Sequence, residues 1–155
     1  MKPNRPFCKA LLRGLIAASS AIPLRNRRCS RLLAYEQGLA AYRAGKYREA
    51  LVGLRPYARK GDALAQLTLG NMYRNGLGVD KDIAQATRWY YKAAVQGDAD
   101  AQFSLAVIHL SGGTVSPSKS EAIDWLERAA AQGHRYALCV YRYVYEENRD
   151  TSQPF

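Results

Sequence analysis

The sequence predicts an all-α fold, an α/α solenoid of about three helix-turn-helix repeats plus a C-terminal capping helix. Three observations carry that prediction. The stretch from Ala63 to Gly97 reads as one helix–loop–helix unit. Moved along by 36 positions it lays Ala65-Gln66 on Ala101-Gln102, Leu69 on Leu105, Ala86 on Ala122, Trp89 on Trp125, Ala93-Ala94 on Ala129-Ala130 and Gly97 on Gly133. Within the unit, Leu69, Met72 and Tyr73 follow the i, i+3, i+4 spacing of a packed helix stripe, and capping residues precede both helices. A repeat of this length cannot bury its apolar face alone, so neighbours must stack and leave an extended surface open to a partner.

The formal charge of +10 over 155 residues is unevenly placed. Lys2, Arg5, Lys9, Arg13, Arg25, Arg27, Arg28 and Arg31 precede any acid, and the remainder carries 15 basic and 13 acidic residues. The repeat domain is therefore close to neutral and lacks the electrostatic footprint of a nucleic-acid binder. Residues 1–31 read as a basic leader. The apolar stretch Ala10–Ile22 follows a basic start and ends in Ser19-Ser20-Ala21, which suits an export signal cleaved near Ala21. Arg13 and the Arg25–Arg28 run leave open a transit peptide, or a start that targets nothing. Export would place the protein in a bacterial periplasm or envelope; the alternatives are the cytoplasm, or an organelle of a eukaryote. No stretch has the roughly 20 apolar residues of a membrane-spanning helix.

The repeat domain is expected over residues 32–148 and a short tail over 149–155. Its first unit pairs a helix over Leu32–Arg43 with one over Tyr47–Arg59, and Pro56 should kink, restart or end the second. Gly38 precedes Ala50 by 12 residues where Gly70 precedes Ala86 by 16, so this unit has the tighter turn. In the second unit Asp62 and Asp82 are the expected helix caps, and Gly76 and Gly78 shape the loop between them. The third unit, Ala99–Gly133, repeats the caps at Asp98 and Ser118 and exchanges the loop for SGGTVSPS, with Gly112, Gly113 and Pro117 keeping turn chemistry. His134–Asn148 is expected to close the array with a polar outer face.

No catalytic, cofactor-binding or metal-binding constellation emerges. His109 takes the slot of Tyr73 and His134 that of Asp62 and Asp98, which assigns them to packing and capping. Neither has a metal-ligating partner at i+3 or i+4. Cys8, Cys29 and Cys139 form no metal or disulfide pattern, although Cys29 and Cys139 could pair in an oxidising compartment. Trp89, Tyr90, Tyr91 and Trp125 lie on second helices and read as core. The binding candidates are positions that vary between units on the first helices: Leu67, Asn71 and Arg74 against Phe103, Val107 and Leu110. Each set recurs every third or fourth residue and so shares one face, suited on a concave surface to an extended peptide or a helix.

The pattern A-x-A-Q-x-x-L-G-x-M-Y-x-x-G-x-G-V, then A-x-x-W-Y-x-x-A-A-x-x-G, stands at Ala63–Val79 and Ala86–Gly97 and resembles the Sel-1-like repeat family, relatives of tetratricopeptide repeats. The third unit departs from it at Ala106, Ile108 and His109. The resemblance implies a right-handed solenoid acting as a non-enzymatic protein–protein interaction scaffold, with a protein or peptide partner and no cofactor. A second reading is an envelope protein that binds or processes a cell-wall or β-lactam ligand. The relatives linked to that chemistry carry a regular cysteine per repeat, which is absent here.

Overall fold

The computed structural model describes residues 27–113 and 118–150. Among these residues all regular structure is helical: α1 (Arg27–Arg43), α2 (Tyr47–Arg59), α3 (Ala63–Asn75), α4 (Ile83–Val95), α5 (Ala99–Leu110), α6 (Lys119–Ala131) and α7 (Arg135–Asp150). The chain divides after Leu33, and the unit from Ala34 onward holds the repeats. Successive helices pack on one another in chain order from α2 through α7, the nearest-neighbour arrangement of a solenoid.

Each helix starts and stops for reasons visible in its end residues. Asp62 caps α3 by accepting the Ala65 N–H at 2.8 Å, and Asp98 caps α5 through the Ala101 N–H at 2.8 Å. Asp82 and Ser118 cap α4 and α6 through the N–H groups of Gln85 and Glu121. The caps satisfy amides that the first turn leaves without carbonyl partners. At the other end, Gly97 takes a φ of 95°, a left-handed conformation that lets the Asp98 N–H turn back to the Ala93 carbonyl at 3.2 Å. Asp98 therefore closes α4 with its backbone and opens α5 with its side chain. The same joint recurs at Gly61-Asp62 and Gly133-His134.

Helix α2 runs unbroken through Pro56; the bond that proline forfeits is the one to the carbonyl of Val52, an exposed residue. Helix α1 begins at Arg27, ahead of the expected Leu32. The loop residues 114–117, Pro117 among them, the leader through Asn26 and the residues after Asp150 lie outside the described residues.

The core is three clusters, each made across a joint. Ala50, Leu54 and Ala58 of α2 meet Ala65, Leu69 and Met72 of α3. Ala86, Tyr90, Ala93 and Ala94 of α4 meet Ala101, Leu105 and Ile108 of α5. Ala122, Leu126 and Ala129 of α6 meet Ala137 of α7, with Val140 and Tyr141 against them. Alanines at these contacts let helices approach closely, and the larger residues interdigitate between them.

Buried glutamines tie the joints together. The Gln66 side chain donates to the Ala58 carbonyl at 2.9 Å and accepts from the Gln96 amide at 2.8 Å. One period on, Gln102 donates to the Ala94 carbonyl at 3.1 Å and accepts from Gln132 at 2.8 Å. Each buried glutamine thus bonds the end of the preceding unit and the end of its own.

Residue size is matched across the helix pair in the second and third units. A Cβ on Gly70 would lie 2.5 Å from the ring of Tyr90, which is fully buried. In the third unit the corresponding pair is Ala106 and Leu126, whose smaller side chain leaves room for the methyl group; the first unit pairs Gly38 with Leu54, 3.0 Å from where a Cβ would lie. Gly78 serves a different contact, with a φ of 71° and a missing Cβ that would meet the Tyr47 backbone at 2.8 Å. The loop of one unit thereby rests on the first turn of the previous unit's second helix.

The final helix departs from its expected polar exterior. Leu138, Tyr143 and Tyr145 are exposed on α7 along with Tyr136. Leu138 and Tyr145 occupy the slots that Gln66 and Tyr73 fill in α3, which there are covered by α4. No described helix covers them on α7.

Two predictions follow from these contacts. Gly70→Ala should lower stability by about 1–2 kcal/mol, the net of an overpacking cost against the gain in helix propensity. Adding Tyr90→Leu, which transplants the third unit's pairing, should recover most of that loss in a urea-unfolding double-mutant cycle, and simple additivity would contradict the matching. The second concerns Asp98, whose pKa is raised above its ordinary value, first by burial and then by nearby Asp100, against the lowering effect of the Ala101 N–H. Its ionised form is disfavoured in the fold, so its contribution is full below the ordinary value of about 4 and is lost as pH rises through the raised value. Asp98→Asn, a neutral cap, should remove that decline, whereas Asp98→Ala should cost about 1 kcal/mol at neutral pH. Urea unfolding across the mildly acid range reads both.

Candidate functional site

The first helices α3, α5 and α7 carry equivalent positions one period apart, and these define a face. Leu64, Asp100 and Tyr136 share one row; Leu67, Phe103 and Cys139 a second; Asn71, Val107 and Tyr143 a third; Arg74 and Leu110 a fourth. Of the exposed large apolar residues, Leu64, Leu110, Tyr136 and Tyr143 all belong to these rows. Within one row, spacings of 36 residues place the side chains on corresponding points of successive units.

The six candidate residues divide into two kinds. Leu67 is buried within the α4–α5 core cluster and is a wall of the face, not an exposed contact. Its row points at the next unit's joint: in α1 the equivalent Tyr35 donates its hydroxyl to the Asp62 carboxylate at 3.0 Å, and in α5 Phe103 stacks on His134 with ring centroids 4.7 Å apart. Period arithmetic locates this row on the face, but the depth of Leu67 depends on the α4–α5 packing beneath it. Asn71, Arg74 and Val107 are half-buried, and Leu110 is exposed.

Asn71 and Arg74 meet at the hydroxyl of Tyr90. That hydroxyl lies 2.7 Å from Asn71 Oδ1, and Arg74 and Ser104 face it as well. Burial pushes the Tyr90 pKa up, with Arg74 acting in the opposite direction, so the hydroxyl stays protonated and donates to the Asn71 oxygen. The second-helix tyrosine, which the sequence places in the core, is both a core ring and the support beneath the two polar candidates. Its signal lay in the sequence as the replacement of Leu126 and Leu54 by a tyrosine in one unit only.

At the other end of the face the rings of Phe103, His134 and Tyr136 form a cluster. His134 caps α7, its Nδ1 accepting the Ala137 N–H at 3.0 Å, and its Nε2 lies 3.1 Å from the Asp100 carboxylate. His109 sits against Glu121 with Nε2 at 3.5 Å, while its buried Nδ1 has no hydrogen-bond partner. Both carboxylates come from other helices, which spacing along one helix could not reveal. Among the described residues no cluster of three metal-ligating side chains forms and no helix is long and apolar enough to cross a membrane. Cys139 is a free, exposed thiol, and the side chain of Cys29 lies outside the described residues.

The second-helix aromatics are only partly core. Tyr90 is fully buried, Trp89 and Trp125 are half-buried beneath Lys92 and Arg128, whose charged groups lie 4.6 and 4.7 Å from the ring centroids, and Tyr91 is exposed at the edge of Trp125.

Comparison with known proteins agrees with the repeat pattern. The Sel1 repeat family matches residues 63–98 and 99–134. Among solved structures, a Sel1 repeat protein from Oxalobacter formigenes is 36% identical with a TM-score of 0.69, over 74% of this chain and 46% of its own. A protective antigen present in uropathogenic Escherichia coli strains, c5321, displaying an SLR fold, is 27% identical with a TM-score of 0.70, over 75% of this chain and 26% of its own. The chain spans less than half the length of either. No curated protein matches it. Sel1 repeat proteins generally mediate protein–protein interaction and are generally non-catalytic scaffolds.

Proposed function

We propose that this chain, a Sel1 repeat protein, is a non-enzymatic scaffold that holds a protein or peptide segment on the face formed by α3, α5 and α7. The observation that carries the reading is the distribution of exposed apolar side chains. Exposed Leu110 lies in the row of Arg74 and exposed Tyr143 in the row of Asn71 and Val107, with exposed Leu64 and Tyr136 in the adjoining row, so these rows bring apolar area to water. The polar members are held in place by Tyr90, so the face is preorganised and a partner's segment loses less entropy there than on mobile side chains. The leader Met1–Arg31 supports export as the setting in which the scaffold works.

Peptides selected from a displayed random dodecamer library against the full chain provide the test. Binding read by fluorescence anisotropy should weaken at least about tenfold, on the order of 1.4 kcal/mol, in Asn71→Ala/Arg74→Ala and in Val107→Asp. Arg88→Ala and Asp124→Ala, on exposed positions of second helices, should leave it unchanged. Circular dichroism and urea unfolding check that the variants fold. Undiminished binding by the first-helix variants would overturn the assignment of the face.

A further inference from the structure

The reading of the first-helix face leaves open what chemistry it selects, and the hydrogen bonds beneath it answer that. The hydroxyl of Tyr90 occupies the Asn71 side-chain oxygen at 2.7 Å. That bond turns the Asn71 oxygen toward Tyr90 and leaves its NH2 group to donate. Arg74, half-buried in the last turn of α3, has donors only. Among the described residues no carboxylate lies within 4 Å of its guanidinium, and the protein group that faces it is the Tyr90 hydroxyl. Asp100, the acid at the start of α5, is engaged by His134 at 3.1 Å. A half-buried cation beside an amide whose oxygen is turned to Tyr90 presents donors together, a site complementary to an anion. Guanidinium and carboxylate form the paired hydrogen bonds that give such recognition its strength and geometry.

One unit along, the position equivalent to Arg74 is Leu110 and the position equivalent to Asn71 is Val107. The face passes from donors to apolar side chains within a single repeat.

We infer that the occupant is an extended segment of a partner protein that carries an acidic side chain and, further along, a large apolar side chain. The carboxylate pairs with Arg74 and Asn71, and the apolar side chain lies over Val107 and Leu110. This rests on the proposed use of the first-helix face, and the test separates the two.

The probe is again the displayed random dodecamer library, selected against the full chain and separately against Arg74→Gln. Wild type should enrich peptides that combine Asp or Glu with Leu, Ile, Phe, Tyr or Trp, and Arg74→Gln should keep the apolar residue and lose the acid. For a synthetic selected peptide, replacing the acid by its amide should weaken binding at least about tenfold on wild type. The same replacement should have little effect on Arg74→Gln. Selected peptides that depend on Val107 yet carry no acid, or an acid whose removal costs the same on both proteins, would overturn the pairing while leaving the face in use. Binding indifferent to both Arg74→Gln and Val107→Asp would instead overturn the face. If no peptide is enriched and sedimentation finds a dimer that Val107→Asp dissociates, the occupant is a second copy and the inference fails.

Discussion

Gln66 and Gln102 are buried polar side chains, and the stacking of this chain's repeats turns on how their amides are satisfied. An unpaired buried amide would cost about 1–3 kcal/mol, enough to offset several of the alanine contacts around it. Each glutamine meets that demand only when two other segments are in place: the C-terminal carbonyl of the preceding second helix and the glutamine that ends its own unit. The bond therefore fixes register, since a slip of one residue leaves the amide without partners. Apolar packing supplies most of the stabilisation, and the glutamine specifies which packing is adopted.

The ends of the array follow from the same constraint. On α7 the glutamine slot holds Leu138, and among the described residues no helix follows to bury it. At the α6–α7 joint the cap changes from aspartate to His134, which bonds the Ala137 amide, approaches Asp100 and stacks on Phe103. The joint keeps its geometry with different chemistry because the backbone turn at Gly133 is retained. Ring contacts add to what the carboxylate supplies at the earlier joints.

Much of this was legible in the sequence. The caps at Asp62, Asp82, Asp98 and Ser118, the helix pairs and the shorter first turn follow from periodicity and end chemistry, because they depend on residues close in the chain. What was not legible depends on contacts between units. Leu67 looked like an exposed variable position and is buried, since its row faces the next joint. Tyr90 looked like plain core, and its hydroxyl fixes the orientation of Asn71. The carboxylate partners of both histidines come from other helices. Pro56 looked like a break, yet the helix continues, and the carbonyl left without its bond belongs to exposed Val52. The outer side of α7 was expected to be polar by the general need of terminal repeats, and its exposed leucine and tyrosines run against that expectation.

The central claim is that a stack fixed by second-helix packing offers its first-helix face to a partner. Amide hydrogen exchange read by mass spectrometry, on the full chain with and without a peptide selected against it, tests that claim most directly. The account predicts slow exchange in α4 and α5 of the free protein, where the central core cluster lies, and added protection on binding confined to α3, α5 and the start of α7. Added protection confined to α4 and α6 would contradict it, because the partner would then lie on the opposite surface of the stack.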